Sequence, residues 1–103
     1  MSTDFVHLHV HSDYSILDGA CTAKGILDRC QDHGMSACAL TDHGNLFGAI
    51  DFYKGAKGRG INPIIGCELY VSPTTRDDRS MGSPSEAYHH LLVLCENEIG
   101  YHN

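Results

Sequence analysis

The chain has 103 residues, a formal charge of −6 with its eight histidines taken as neutral, and 42% apolar residues. That is enough for one domain with a modest core, and it excludes a disordered or fibrous chain and a basic surface that grips nucleic acid by counterion release. The five cysteines, Cys21, Cys30, Cys38, Cys67 and Cys95, are odd in number and lack C-x-x-C spacing, which fits reduced thiols better than a disulfide framework or zinc ribbon.

Met1 to Asp4 has neither the basic nor the apolar part of a secretory leader, and no apolar stretch approaches membrane-spanning length. A cytoplasmic protein is expected. From Phe5 to His11 the chain alternates, so an extended strand would set Phe5, His7, His9 and His11 on one side and Val6, Leu8 and Val10 on the other. Side chains two apart on a strand lie roughly 6.5 Å from one another. Two imidazoles so placed can lean onto one metal or onto two neighbouring metals. A loop follows, with Asp18-Gly19 as turn chemistry. Thr22 is then a natural N-cap for a helix with an apolar stripe of Ile26, Leu27 and Cys30 and a stop at Gly34.

Ala37 to Thr41 reads as a short strand buried on both faces, ending in Asp42-His43-Gly44. Asn45 can cap a second helix on which Leu46, Phe47, Ile50 and Tyr53 fall at helical spacing, closed by Gly58 or Gly60. Lys54, Lys57 and Arg59 cluster at its end, where cations complement the helix dipole. Ile61 to Val71 gives a third strand with Glu68 inside it. Residues 72–85 read as a polar loop, and His90 to Cys95 as a fourth strand. Glu96 to Asn103 resembles a helix that is cut short, as in a piece of something longer. The order is βαβαβ and then a further strand, an α/β arrangement with a parallel sheet or barrel whose working residues sit at strand tips. His90 opens its strand and would lie at the wrong end of a parallel sheet. A hairpin return beside the third strand brings it back to Glu68.

Imidazoles at His9, His11, His43 and His90 and carboxylates at Asp18 and Glu68 could therefore meet. This donor mixture suits zinc, manganese or iron, and more than four such groups argue for two or more metals sharing a carboxylate. Clustered metals suit phosphate-ester hydrolysis. A single H-x-H is weak evidence, being common at polar positions of a half-exposed strand, and Asp42-His43-Gly44-Asn45 is ordinary turn chemistry. Glu68 is harder to explain away, because an interior carboxylate costs several kcal/mol unless it is paired or bound. His7 and Asp42 are assigned to supporting the ligands by hydrogen bonds. Spacing leaves Asp13 and Asp18 as competitors for the loop carboxylate.

Taken together, His9-Val10-His11-Ser12, Thr41-Asp42-His43-Gly44-Asn45, Gly66-Cys67-Glu68 and His90-Leu91 resemble the polymerase and histidinol phosphatase (PHP) domain. Within that superfamily, residues 5–19 and 98–103 are similar to the amino terminus of bacterial replicative DNA polymerase III alpha subunits. The resemblance implies that the whole chain, residues 1–103, is the first part of a distorted (β/α)₇ barrel with a trinuclear metal site. Matched residue by residue, its ligands fall on His9 and His11 rather than His7, and on Asp18, His43, Glu68 and His90. It further implies zinc or manganese in that site, with magnesium for the parent polymerase. Its expected partners are DNA at a primer 3′ end and replicase subunits, including a proofreading exonuclease subunit.

The function expected on this ground is phosphodiester hydrolysis of the 3′→5′ exonuclease type. Its rivals are a non-catalytic docking module and a phosphatase of the histidinol-phosphate type. The remaining family ligands, a Cys and a D-x-H, would lie past Asn103. The isolated fragment is therefore expected to be inactive and to self-associate through unpaired strand edges.

Overall fold

The computed structural model describes residues 5–77 and 88–103. Helix α1, Ala23–Asp32, starts where Thr22 stands in extended backbone and accepts a hydrogen bond from Gly25 N at 3.0 Å. It stops at His33, beyond which Gly34 takes φ 68°, a left-handed turn that favours glycine. Strand β1, Ala37–Leu40, follows, and its last three residues are buried. Helix α2, Ala49–Gly58, leads through Gly60, at φ 71°, into strand β2, Asn62–Val71.

β2 lies parallel to β1, with Ala37 opposite Asn62 and Leu40 opposite Ile65. Strand β3, His89–Leu94, returns antiparallel along the other side of β2, with Gly66 opposite Leu94 and Val71 opposite His89. The expected hairpin return is thus the observed one, although residues 78–87 of its connection lie outside the described residues. A short helix α3, Glu98–His102, is capped by Asn97, whose side chain accepts from Gly100 N at 2.9 Å.

Two expected elements differ. The first segment is not a regular strand: it pairs with β1 through a single bridge, His7 opposite Cys38, and bends at His9. Ala39 N donates to His7 O at 2.9 Å, but Thr41 N donates to Val10 O at 2.8 Å, so three residues of the segment span what two span on β1. The Thr41 hydroxyl fills the irregularity, accepting from Val10 N at 2.9 Å and donating to Val10 O at 3.1 Å. An inserted residue of this kind breaks the alternation, so His7 does not share the setting of His9 and His11.

The second difference is the start of α2, which begins four residues after Asn45, at a Gly48 cap without a side-chain hydrogen bond. Asn45 instead closes the turn before it, accepting from Phe47 N at 3.1 Å and donating to His43 O at 3.0 Å. Phe47 and Ile50, expected at helical spacing on the second helix, are 74% and 64% exposed, and Phe47 lies before the helix begins. The buried face of α2 is Phe52 and Ala56.

The core is formed by Ile26, Leu27 and Cys30 of α1, Cys38 and Leu40 of β1, Phe52 and Ala56 of α2, and Ile61. Both helices therefore share one core with β1. Arg59 fastens them at the surface, reaching Asp28 of α1 at 2.6 Å, while Lys24 reaches the same carboxylate at 2.7 Å. All five cysteines are free, and burial pushes the Cys38 thiol up to about 12, as befits a core residue. Among the described residues no helix is long and apolar enough to cross a membrane. Because Phe52 fills the centre of a small core, Phe52→Ala should cost about 3–5 kcal/mol of stability in urea denaturation. Ile50→Ala on the outer face of the same helix should change stability by no more than about 0.5 kcal/mol. Equal costs at the two positions would contradict this division of faces.

Candidate metal centre

Beyond Leu40 the chain continues in the register of β1 until His43 bridges to Glu68 on β2, with Gly44 N donating to Glu68 O and Glu68 N to Asp42 O, each at 3.0 Å. The backbone ladder therefore fixes His43 beside Glu68. The first segment runs on the far side of this strand and delivers His9 and His11. The antiparallel register sets Tyr70 opposite His90, so alternation along β2 and β3 turns Glu68, Tyr70 and His90 to one face.

Glu68 is only 7% exposed. Its Oε2 lies 3.0 Å from His9 Nε2, 2.6 Å from His11 Nε2 and 3.5 Å from His43 Nδ1, and its Oε1 lies 3.1 Å from His90 Nδ1. The other ring nitrogen of His43 meets Asp18 Oδ2 at 2.9 Å. All six groups singled out as ligand candidates in the sequence are thus drawn into one cluster, and Asp18 rather than Asp13 is the loop carboxylate that reaches it. Two overlapping sets of donor atoms, His9, His11 and Glu68, and His43, Glu68 and His90, each lie within 4.8 Å of one another.

The loop carrying Asp18 is held by Asp42. This carboxylate is buried and accepts from Ser12 N at 2.6 Å, from Ser12 Oγ at 2.8 Å and from Ser15 Oγ at 3.0 Å. His43 N donates to Ser15 Oγ at 2.9 Å, which ties loop and strand end together. At Gly19 the loop passes so close to its own start that a Cβ would stand 1.7 Å from Ser12 O, and only glycine fits. The Asp42 carboxylate therefore meets the loop that carries Asp18. His7 takes no comparable place: its ring packs edge-on against Phe5 at 4.7 Å and, with His9, lines an apolar cavity beside α1. Ser12, Ser15 and Thr41 had no signal in the sequence beyond that of ordinary turn and strand residues.

The donor set fits divalent cations. Four imidazoles and two carboxylates are the mixed nitrogen and oxygen ligands that zinc, manganese and iron accept. His43 Nδ1 is buried with no hydrogen-bond partner among the described residues. Leaving such a nitrogen unpaired costs on the order of 1–3 kcal/mol, which a cation between it and Glu68 would offset.

A family profile described as PHP domain matches residues 7–103. DNA polymerase III subunit alpha of Treponema pallidum is 54% identical over 99 residues, covering 96% of this chain and 8% of that protein. The same subunit of Aquifex aeolicus is 42% identical over 108 residues, covering all of this chain and 9% of that protein. The chain therefore spans less than a tenth of the length of these relatives. Among solved structures, a Bifidobacterium adolescentis protein provisionally described as a metal-dependent phosphoesterase aligns with a TM-score of 0.65 at 17% identity, over 97% of this chain and 32% of that one. At that identity the likeness is one of fold. An amidohydrolase from Chromobacterium violaceum, with bound sulfate and no metal, aligns with a TM-score of 0.57 at 28% identity, over 86% of this chain and 25% of that one.

Burial by itself raises the Glu68 carboxyl. Hydrogen bonds from His9 and His11 and the charges of His43 and His9 more than reverse this and hold it at about 2, below its ordinary 4.5. The carboxylate therefore favours the folded, metal-free chain at pH above about 4.5, and that contribution is lost as the pH falls from there through about 2. In urea denaturation with chelator present, the stability gap between the wild type and Glu68→Gln should narrow over this interval. A gap that widens would contradict the assignment.

Proposed function

Because the chain belongs to the PHP domain family, we propose that it is the first part of a PHP barrel at the amino terminus of a DNA polymerase III alpha subunit. We assign to the cluster around Glu68 phosphodiester hydrolysis of the 3′→5′ exonuclease type. The observation that carries this reading is the division of one buried carboxylate between imidazoles on two sides, with His9 and His11 on Oε2 and His90 on Oε1. That is the arrangement expected of a carboxylate shared by neighbouring cations. His9, His11 and Glu68 would hold one cation, and His43, Glu68 and His90 another, with Asp18 beside His43 completing the set.

Zinc or manganese in these positions would supply activated water and neutralise charge on the phosphate oxygens. The chain's own residues orient and enclose. Asp42, with Ser12 and Ser15, holds the Asp18 loop at the strand tips, and Thr41 fixes the irregular segment that brings in His9 and His11. The substrate is DNA at a mispaired primer 3′ end, met in the cytoplasm within the replicase, where magnesium serves polymerisation elsewhere in the parent chain. Leu69, Val71 and Leu91 are exposed on the face of the β2–β3 pair turned away from Glu68, which supports further parts of a barrel that cover them. The 103 residues alone would then hydrolyse poorly and self-associate.

The kinship with polymerase subunits favours this reading over a stand-alone phosphatase of the histidinol-phosphate type. In the intact polymerase chain, freed of any partner exonuclease, His9→Ala with His11→Ala should lower metal-dependent removal of a mispaired 3′ nucleotide by at least about a hundredfold. Bound metal, read by elemental analysis, should fall with it. Undiminished hydrolysis would overturn the catalytic reading and leave the domain a docking module.

A further inference from the structure

Beside the histidine cluster lies an open cavity of about 500 Å³, in which Asp18, His43 and His90 form one part of the wall and Tyr14, Tyr70 and Tyr88 another. The exposed Ile16 and Leu17 complete its rim. Among the described residues no lysine or arginine lines it. Its volume lies within the range of small-ligand sites, roughly 300–1,000 Å³.

The tyrosines are held in place but not covered. Tyr70 lies parallel to His43, with ring centroids 6.2 Å apart and planes 5° apart, and meets Tyr88 at 4.6 Å and His90 at 5.4 Å. Gly44 sits at φ +64°, and a Cβ there would stand 2.8 Å from Tyr70 Cε2, so the backbone is cut back where the ring rests. Tyr70 and Tyr88 remain 49% and 38% exposed, so both rings are open to the cavity that they line. A fixed, half-open aromatic surface bordering the proposed ligands suits a flat apolar group attached to a phosphate. A nucleobase is such a group, and every base offers a π-face, so the recognition is tolerant of sequence.

Resting on the hydrolytic reading of the adjoining cluster, we propose that Tyr70, supported by Tyr88, is the platform on which the terminal base of a polynucleotide stacks, bringing the phosphodiester behind it to Asp18, His43 and His90. Tyr70 thus acts on binding, holding a terminal base of any identity.

The test compares two single-stranded oligonucleotides on the intact polymerase chain, one ending in 2-aminopurine and one ending in an abasic residue at the 3′ position. Binding is read by 2-aminopurine fluorescence and by competition, in chelator, where no hydrolysis intervenes. The wild type should quench the terminal base and prefer it over the abasic end. Tyr70→Ala should reduce that preference about tenfold, while Tyr70→Phe preserves it. Tyr88→Ala should weaken the preference in the same direction, which keeps the test decisive if Tyr70→Ala fails to fold. Equal binding of both oligonucleotides by the wild type, or a preference untouched by both alanine variants, would overturn the platform. With metal restored, hydrolysis that ignores the terminal base would also overturn it while leaving the hydrolytic reading intact. Tyr70-dependent quenching without any hydrolysis would overturn the hydrolytic reading and support the platform.

Discussion

An ionised carboxylate placed inside a sheet must find compensation for the water it loses, and Glu68 finds it in imidazoles delivered by three separate stretches of chain. Removing such a group from water costs several kcal/mol, and hydrogen bonds or cations must return that energy. The fold supplies the donors through backbone register rather than through local sequence. His43 reaches Glu68 because the two residues bridge directly, and His90 because the hairpin brings β3 back along β2. Altering either register by one residue would turn a ligand to the opposite face.

The remaining polar residues near the cluster are arranged around this need. Asp42 meets Glu68 through its main chain, while its buried carboxylate accepts from Ser12 and Ser15 and so organises the loop that presents Asp18. Gly19 lets that loop close on itself, and Gly44 leaves space for Tyr70. The cluster is thus framed on one side by a hydrogen-bonded loop and on the other by aromatic rings. Its open cavity lies between them, where a phosphate with an attached flat group has room.

Much of this could be read from the sequence. The cap at Thr22, the stop at Gly34 and the buried run at β1 each follow from local chemistry strong enough to act alone, whereas the return of β3 follows from the need to bring His90 back to Glu68. Glu68 was legible because a carboxylate among apolar residues has few uses. What could not be read depends on partners distant in the chain. The irregularity that separates His7 from His9 exists because the Thr41 hydroxyl replaces a main-chain partner, and nothing within residues 5–11 reports it. Asn45 has the same capping chemistry whether it closes a helix or the turn before one. Phe47 precedes α2 and Ile50 lies on its outer face, and spacing alone cannot tell either from a residue on the face that Phe52 buries. Tyr70 looked like a strand residue, and its setting depends on Gly44 and His43, both over twenty positions away.

The central claim is that Glu68 is shared between cations held by two sets of histidines. Anomalous diffraction from crystals grown with zinc or manganese tests it most directly. The account predicts two peaks flanking the Glu68 carboxylate, one about 2.0–2.1 Å from the ring nitrogens of His9 and His11 and the other at similar distance from His43 and His90. Peaks confined to other surface histidines, with Glu68 still bonded only to imidazoles, would contradict it.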